Sequence, residues 1–361
     1  MRIPTFLITG LEPTALDSTA LGLLCDLPES VVVRHEVSHE HNTLTRTVSD
    51  VRGLLEREVI SLGHACIPCA IREDVVPTLA RLAATGSWPS QIAVLPSGAD
   101  ARQVCRFVSR SPSVAAPFKI AGVVAALSGE TLERDLTGGD LLCERGFGVF
   151  SDDRRSVAEV SSALIEYADV VSVRRPDVPH ALEPGFTLAM SLARPGAVTT
   201  VGWPGFRGEQ LLTGLHDPNC SEEWVCDVPP AALPEPAEGS WRLTLSSHLP
   251  LHPDRLLRRI ADLGSGRFRS RGCFWLPTRA ELRCCWDGAG GQLSIGVGGR
   301  WGAAQARTHI VVTGLCAHGD PRPRLLDAFG DCLITDEELA ERGVAWEVFS
   351  DGLEDWLGEI R

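Results

Sequence analysis

Short apolar runs that end in glycine or polar residues, each followed by a stretch with helical spacing, recur through the first half of the chain. That alternation leaves few folds open. Thr5-Phe6-Leu7-Ile8-Thr9 reads as a buried strand ending at Gly10, and Ala15 to Leu24 as a helix behind it. Strand, glycine turn and helix are the opening of a parallel α/β sheet. Val31 to Glu36 and Glu58 to Leu62 read as the second and third strands, and Gln91–Leu95, Gly122–Ala126 and Val170–Val173 as later ones. Helices are predicted over Arg72–Thr85, with Pro77 a blemish near the start, and over Ala101–Ser109 and Ser156–Tyr167. The expected fold class is α/β, a doubly wound and mostly parallel sheet, with sites at the carboxyl ends of the strands. Gly10, His35, His64 and Gly98 fall at those ends.

Residues 204–240 are rich in Pro, Gly and Glu, including Pro229-Pro230 and Pro234-Glu235-Pro236, and read as a linker between a first domain over 1–203 and a second over 241–361. The second domain is a smaller α/β unit. It has a strand at Trp241–Leu245, a helix from Pro253 to Leu263, about three strands between Gly272 and Val312 and a final helix from Asp336.

With 44% hydrophobic and 22% charged residues, the 361-residue chain has the make-up of a soluble globular protein. No apolar run approaches the roughly 18 residues of a membrane span, so the expected location is the cytoplasm and no membrane partner is expected. Twelve cysteines, several on apolar runs (Cys25, Cys105, Cys316), suggest reduced core residues rather than a disulfide framework. The net charge of −13 argues against direct nucleic-acid binding by the whole surface. Charge is unevenly placed, however: Arg242 to Arg324 holds thirteen arginines against five acids, and Leu325 to Arg361 two against eleven. Two solvated faces, or an acidic tail lying on its own domain, explain this more simply than an Arg-rich docking face. Lys119 is the one lysine in the sequence.

His64-Ala65-Cys66-Ile67-Pro68-Cys69 brings two thiols and an imidazole into one turn ahead of a predicted helix. Helix N-terminal N–H groups favour the thiolate, the form that binds zinc. The same Cys-x-x-Cys spacing also serves redox pairs and ordinary buried cysteines, and those readings stay open.

The turn, followed by Ile71-Arg72-Glu73-Asp74-Val75, resembles the Cys-x-Cys-Cys segment of the CobW family, P-loop GTPases linked to cobalamin synthesis and zinc allocation, with Pro68 in place of the middle cysteine. Asp152-Asp153-Arg154 and Ile165-Glu166-Tyr167-Ala168-Asp169 are similar to the run before that family's guanine motif. Leu251-His252-Pro253-Asp254, Arg271-Gly272-Cys273-Phe274-Trp275 and Cys332-Leu333-Ile334-Thr335-Asp336-Glu337-Glu338 resemble landmarks of its C-terminal domain. The resemblance covers most of the chain and implies zinc as ligand and GTP with Mg2+ as cofactors.

The nucleotide motifs depart from that pattern. Gly-x-x-Gly-x-Gly-Lys-Thr becomes Gly10-Leu11-Glu12-Pro13-Thr14-Ala15-Leu16-Asp17, with Leu16 at the lysine position. Pro13 has no N–H to offer a phosphate, and Glu12 and Asp17 would repel one. Asn-Lys-x-Asp becomes Arg174-Arg175-Pro176-Asp177, and Leu95 stands where the family's Glu-x-x-Gly motif has its acid. Gly10, Asp17, Ser18 and Asp177 are the remnant of a nucleotide site, which argues against GTP hydrolysis and against an enzyme, and no catalytic residue is assigned.

For the metal, the resemblance implies Cys66 and Cys69, with His64, Glu36 or His35 as further ligands; His39 and His41 extend a His-x-x-x-His-x-His cluster. The leading expectation is a zinc-binding, metal-responsive adaptor in zinc homeostasis with a decayed GTPase site. One alternative is an active GTP-dependent zinc metallochaperone. Another rests on Val31–Glu36, Thr45-Arg46-Thr47-Val48-Ser49 and Gly214-Leu215-His216-Asp217-Pro218. These resemble an actinobacterial CobW-like branch that includes a zinc-responsive factor recruiting a hibernation protein to the ribosome. The expected partner is accordingly a protein, either a zinc client or a ribosome-hibernation factor.

Overall fold

A computed structural model describes residues 2–38, 40–62, 67–147, 153–177, 183–202, 207–226, 228, 233–342, 346 and 350–360. In chain order the first part holds β1 (Ile3–Gly10), α1 (Pro13–Asp26), β2 (Val31–Ser38), β3 (Thr43–Asp50), β4 (Gly53–Ser61), α2 (Ile67–Ala70), a π-helical turn (Ile71–Val75), α3 (Val76–Thr85), β5 (Gln91–Val94) and α4 (Ala101–Arg110). It continues with β6 (Phe118–Ser128), α5 (Leu132–Thr137), α6 (Val157–Tyr167), β7 (Val170–Arg174), α7 (Glu183–Leu192), β8 (Val198–Val201), α8 (Gly208–Leu212) and α9 (Pro218–Cys226).

The eight strands form one sheet in the order β4-β3-β2-β5-β1-β6-β7-β8. From β2 to β8 it is parallel, as expected. The β2-β3-β4 edge is an antiparallel meander. β3 is an additional strand, and the strand expected over Glu58–Leu62 begins at Gly53: β4 is exposed along most of its length, so the apolar run that signals a buried strand is absent.

The central strands are buried on both sides. Phe6, Ile8, Val94, Val124 and Ala126 pack on one side with Leu16 and Leu23 of α1. Leu7, Ala93, Val123 and Ala125 pack on the other with residues of α3, α4, α6 and α7. The helix expected from Arg72 begins at Ile67 and carries the π turn ahead of α3. Pro77, which cannot donate a backbone hydrogen bond, sits in the first turn of α3, where that lack costs least.

The stretch expected to be a linker holds α8 and α9. Leu211 of α8 is fully buried against β6, where Gly122 makes room: a Cβ there would lie 2.6 Å from the Leu211 side chain. Trp224 of α9 is buried with Val228 and Val311.

The second part contains β9 (Ser240–Ser247), α10 (Pro253–Gly264), β10 (Phe268–Phe274), β11 (Leu282–Ala289), β12 (Gln292–Arg300), β13 (Thr308–Leu315), α11 (Arg322–Cys332), α12 (Asp336–Arg342) and α13 (Glu354–Leu357). Its five strands, ordered β12-β11-β10-β13-β9, are antiparallel throughout. Leu256 and Leu263 of α10 share a core with Leu325, Ala328 and Phe329 of α11, a helix the sequence reading missed.

Several arginines of this part pair with acids of the C-terminal stretch. Arg279 pairs with Asp351, Arg255 with Glu338, and Arg259 with Asp262, Asp327 and Asp331. The acidic tail therefore lies on its own domain. Between the two parts, Glu166 of α6, fully buried, receives both Arg269 (2.8 Å) and Arg271 (3.0 Å) of β10. Arg271 also stacks 4.8 Å from the centre of the Trp224 ring. Burial, reinforced by the neighbouring Arg269 charge, pulls the Arg271 guanidinium down to about 10.

Candidate metal centre and the cleft beside it

A cleft of about 310 Å³ opens at the carboxyl ends of β1, β2 and β5, lined among others by Leu11, Pro13, Leu16, His35, Glu36 and Ser97. This is the position that a doubly wound sheet reserves for ligands.

On the nucleotide side the lining is closed on itself. Leu16 is buried, its side chain packed in the core below the loop. Asp17 forms an ion pair with Arg34 of β2, whose guanidinium also reaches Glu36 at 3.2 Å. Glu12 occupies the N-cap position of α1, accepts a 2.7 Å hydrogen bond from the Thr14 hydroxyl and lies 4.0 Å from Arg174. The Glu12 side chain makes no capping bond to the helix N–H groups, but it places a negative charge at the end of α1 where a phosphate would have to approach. Ser18 donates to the Ala15 carbonyl at 3.1 Å. Asp177 is exposed beyond β7. Gly10, the one glycine kept from the phosphate motif, has a packing reason: a Cβ would sit 2.4 Å from the Ala126 carbonyl oxygen. Each of the four residues expected to form the nucleotide remnant is thus engaged locally or exposed.

On the metal side the central feature is a pair the sequence reading did not name. His35 is 1% exposed, and its Nε2 donates to Asp74 Oδ1 at 2.8 Å. Asp74 lies in the π turn and also accepts from Arg46 of β3 and, at 3.3 Å, from Thr78. Burial pushes the Asp74 carboxyl up, but the hydrogen bond and charge of His35, the Arg46 charge and Thr78 outweigh it and hold the group below the usual aspartate range. Because Asp74 accepts from Nε2–H, the tautomer this bond selects carries its lone pair on Nδ1, and Nδ1 is buried without a partner. A carboxylate behind a histidine is the arrangement that orients an imidazole ligand toward a metal. His35 therefore fits the role of a zinc ligand.

Glu36 fits it less well. Adjacent residues on a strand face opposite sides, and Glu36 is an exposed partner of Arg34 while His35 points inward. Cys69 lies on α2 and is disulfide-bonded. Zinc is ligated by the thiolate, a form that the disulfide-bonded sulfur of Cys69 does not offer. Cys66, His64 and His39 lie outside the described residues. Among the described residues no three His, Cys, Asp or Glu side chains come together in a way that would hold a metal ion. The wider cysteine expectation is corrected in part: Cys105 is buried and free, but Cys25 and Cys316 are exposed. Asp74 was legible only as part of the Ile71–Val75 helix start; its pairing with His35 spans 39 positions and has no local signature.

Two family models match the chain: the CobW/HypB/UreG nucleotide-binding domain over residues 32–183, and the cobalamin synthesis protein cobW C-terminal domain over residues 240–333. The chain belongs to the CobW family. A full-length relative from Mycobacterium tuberculosis, named zinc chaperone Rv0106, is 25% identical, covering 99% of this chain and 94% of the relative. An uncharacterised Mycobacterium bovis protein matches over the same spans at the same identity. Crystal structures of the Zn(II)-bound Escherichia coli YjiA GTPase, wild type and a triple mutant, align over 92% of this chain and 100% of theirs at 15% identity, with a TM-score of 0.37. As a CobW protein this chain combines the family's nucleotide-binding and C-terminal domains. Among the described residues no helix is long and apolar enough to cross a membrane.

Proposed function

We propose that this CobW protein is a zinc-binding adaptor that works without GTP hydrolysis, with His35 and the reduced Cys69 among its ligands. The observation that carries the reading is the self-contained phosphate loop. Asp17 and Glu12 are paired with Arg34 and Arg174, the Walker lysine is Leu16, and Pro13 withholds an N–H. A triphosphate would have to approach next to the Glu12 and Asp17 carboxylates without a lysine to neutralise it. On the metal side, Asp74 fixes the His35 ring while the Nδ1 edge stays without a partner. The name of the mycobacterial relative supports zinc as the ion handled.

In this reading the protein's own groups do the work. Asp74 holds the imidazole, reduction exposes the Cys69 thiolate, and loading alters the helix start that carries Cys69 and Asp74, changing the surface offered to a protein partner such as a zinc client or a hibernation factor.

The test has two arms. Reduced protein is dialysed against zinc and assayed by mass spectrometry for wild type, Cys69→Ser and His35→Gln; bound zinc should fall by at least half in each variant, and equal zinc in all three removes the ligand assignment. Calorimetry with GTP and Mg2+ should show no saturation at millimolar nucleotide. Micromolar GTP binding with turnover would instead favour the second reading, a GTP-dependent zinc chaperone, which the relative's name also permits.

A further inference from the structure

A second cleft, of about 250 Å³, lies at the opposite end of the sheet, beside the first residues of β6 and the end of α4. Its walls are largely apolar, with Val108, Ala115, Phe118, Ile120 and Pro218, and Arg2, Lys119 and His216 also line it. Lys119, the single lysine of an acidic chain, is exposed here, and neither it nor Arg2 has an ion-pair partner among the described residues. From this geometry we infer that the cleft binds a small organic carboxylate, whose charged head meets Arg2, Lys119 and His216 while its apolar body lies on Phe118 and Ile120.

His216 is the decisive group. Its side chain is 2% exposed and its Nδ1 is 3.1 Å from Asp169 Oδ2. Asp169 in turn receives Arg194 and, at 2.7 Å, the Val123 N–H. The ring is further fixed against Tyr167, with centroids 5.7 Å apart. With Nδ1 committed to Asp169, the other ring nitrogen, Nε2, is buried and has no partner. An orphaned buried nitrogen in a cleft wall is a cost that a bound polar group removes. A carboxyl group at Nε2 supplies the shared proton of an O–H···N or N–H···O hydrogen bond, and Asp169 behind the ring offsets charge that the imidazole takes up.

The neighbouring acids do not compete for the cations. Asp217 caps α9, accepting from the Asn219 and Cys220 N–H groups. Burial pushes the Cys105 thiol in the wall up to about 12, so it stays neutral. The apolar walls select an organic acid over a bare inorganic anion, and the volume falls below the roughly 300–1,000 Å³ of sites for drug-sized ligands, which limits the occupant to a small one. The Gly214-Leu215-His216-Asp217-Pro218 motif thereby acquires a use: His216 faces the cleft, Asp217 starts the helix and Pro218 forms wall.

The single lysine makes the test direct. The whole protein is labelled with an amine-reactive reagent and the Lys119 peptide is followed by mass spectrometry, with benzoate, benzyl alcohol or inorganic phosphate as competitor. Benzoate is expected to slow labelling of Lys119 at least fivefold and saturably, with the alcohol and phosphate changing it less than twofold. Calorimetry should show benzoate affinity falling at least tenfold in Lys119→Gln, a surface change that leaves the circular dichroism spectrum unaltered, and in His216→Gln. Protection by phosphate equal to that by benzoate, no protection by benzoate, or unchanged benzoate affinity in Lys119→Gln would each overturn the assignment.

Discussion

Asp74 is held by three side chains from three separate segments, His35, Arg46 and Thr78, and Arg46 is itself only 8% exposed. Removing one member of a buried charged set leaves the others desolvated without compensation, which costs more than the set contributes by its presence. Asp74→Asn is therefore expected to lower unfolding free energy by about 3 kcal/mol, measured by urea titration followed by tryptophan fluorescence. The same substitution releases the His35 ring from its fixed tautomer, so zinc retention by the reduced protein should fall with it. A variant that loses zinc but no stability would show that Asp74 orients the ligand without supporting the fold.

Helices α4 and α9 are joined by one carboxylate. Glu222 of α9 receives Arg106 at 2.7 Å and Arg102 at 2.8 Å, both from α4. Burial alone would raise the Glu222 carboxyl, but the hydrogen bonds and charges of Arg106 and Arg102 prevail and bring it to about 2. A carboxyl whose value is lower in the folded than in the unfolded chain stabilises the fold fully above its ordinary value, and that contribution disappears as pH falls through the folded value. The window here runs from the ordinary glutamate value of about 4.3 down to about 2. Thermal melts of wild type and Glu222→Gln should differ at pH 7 and converge as the pH is lowered across that window; a constant difference would mean that the carboxylate charge is not what joins the helices. The meander β2-β3-β4 belongs to the same scale. It carries Arg46 on β3 toward Asp74, so a strand with no apolar run of its own helps build the metal side of the cleft.

Across the whole molecule, the two sheets are tied through Glu166, which is buried where α6 meets β10. Arg269 on the same strand also pairs with Asp287 of β11. Two arginines on one buried glutamate leave no slack: Glu166→Gln keeps the shape but removes the charge that both guanidiniums require. Differential scanning calorimetry of this variant is expected to resolve two transitions where the wild type shows one, with the earlier shifted down by several degrees. A single unshifted transition would show that the apolar contacts between α7 and β13 and around Trp224 suffice to couple the parts.

What the sequence determined by itself is the local layer: continuous apolar strand runs alternating with helical runs that lead to a doubly wound sheet, most of the strands of the β9 to β13 unit, and a leucine rather than a lysine at position 16. The β3-β4 hairpin, α11 and the two helices inside the Pro-rich stretch lay beyond it, because β4 is exposed along most of its length and because α8, α9 and the Gly-Asp-Pro-Arg-Pro start of α11 sit where turn residues dominate the composition. Only the tertiary structure decided what the polar residues do. His35 meets Asp74, Asp17 meets Arg34, Glu12 approaches Arg174 and His216 meets Asp169 across separations of 17 to 162 positions. Such pairings are selected by which groups a folded sheet brings within reach away from water, and a charge in a sequence carries no mark of the partner that will neutralise it.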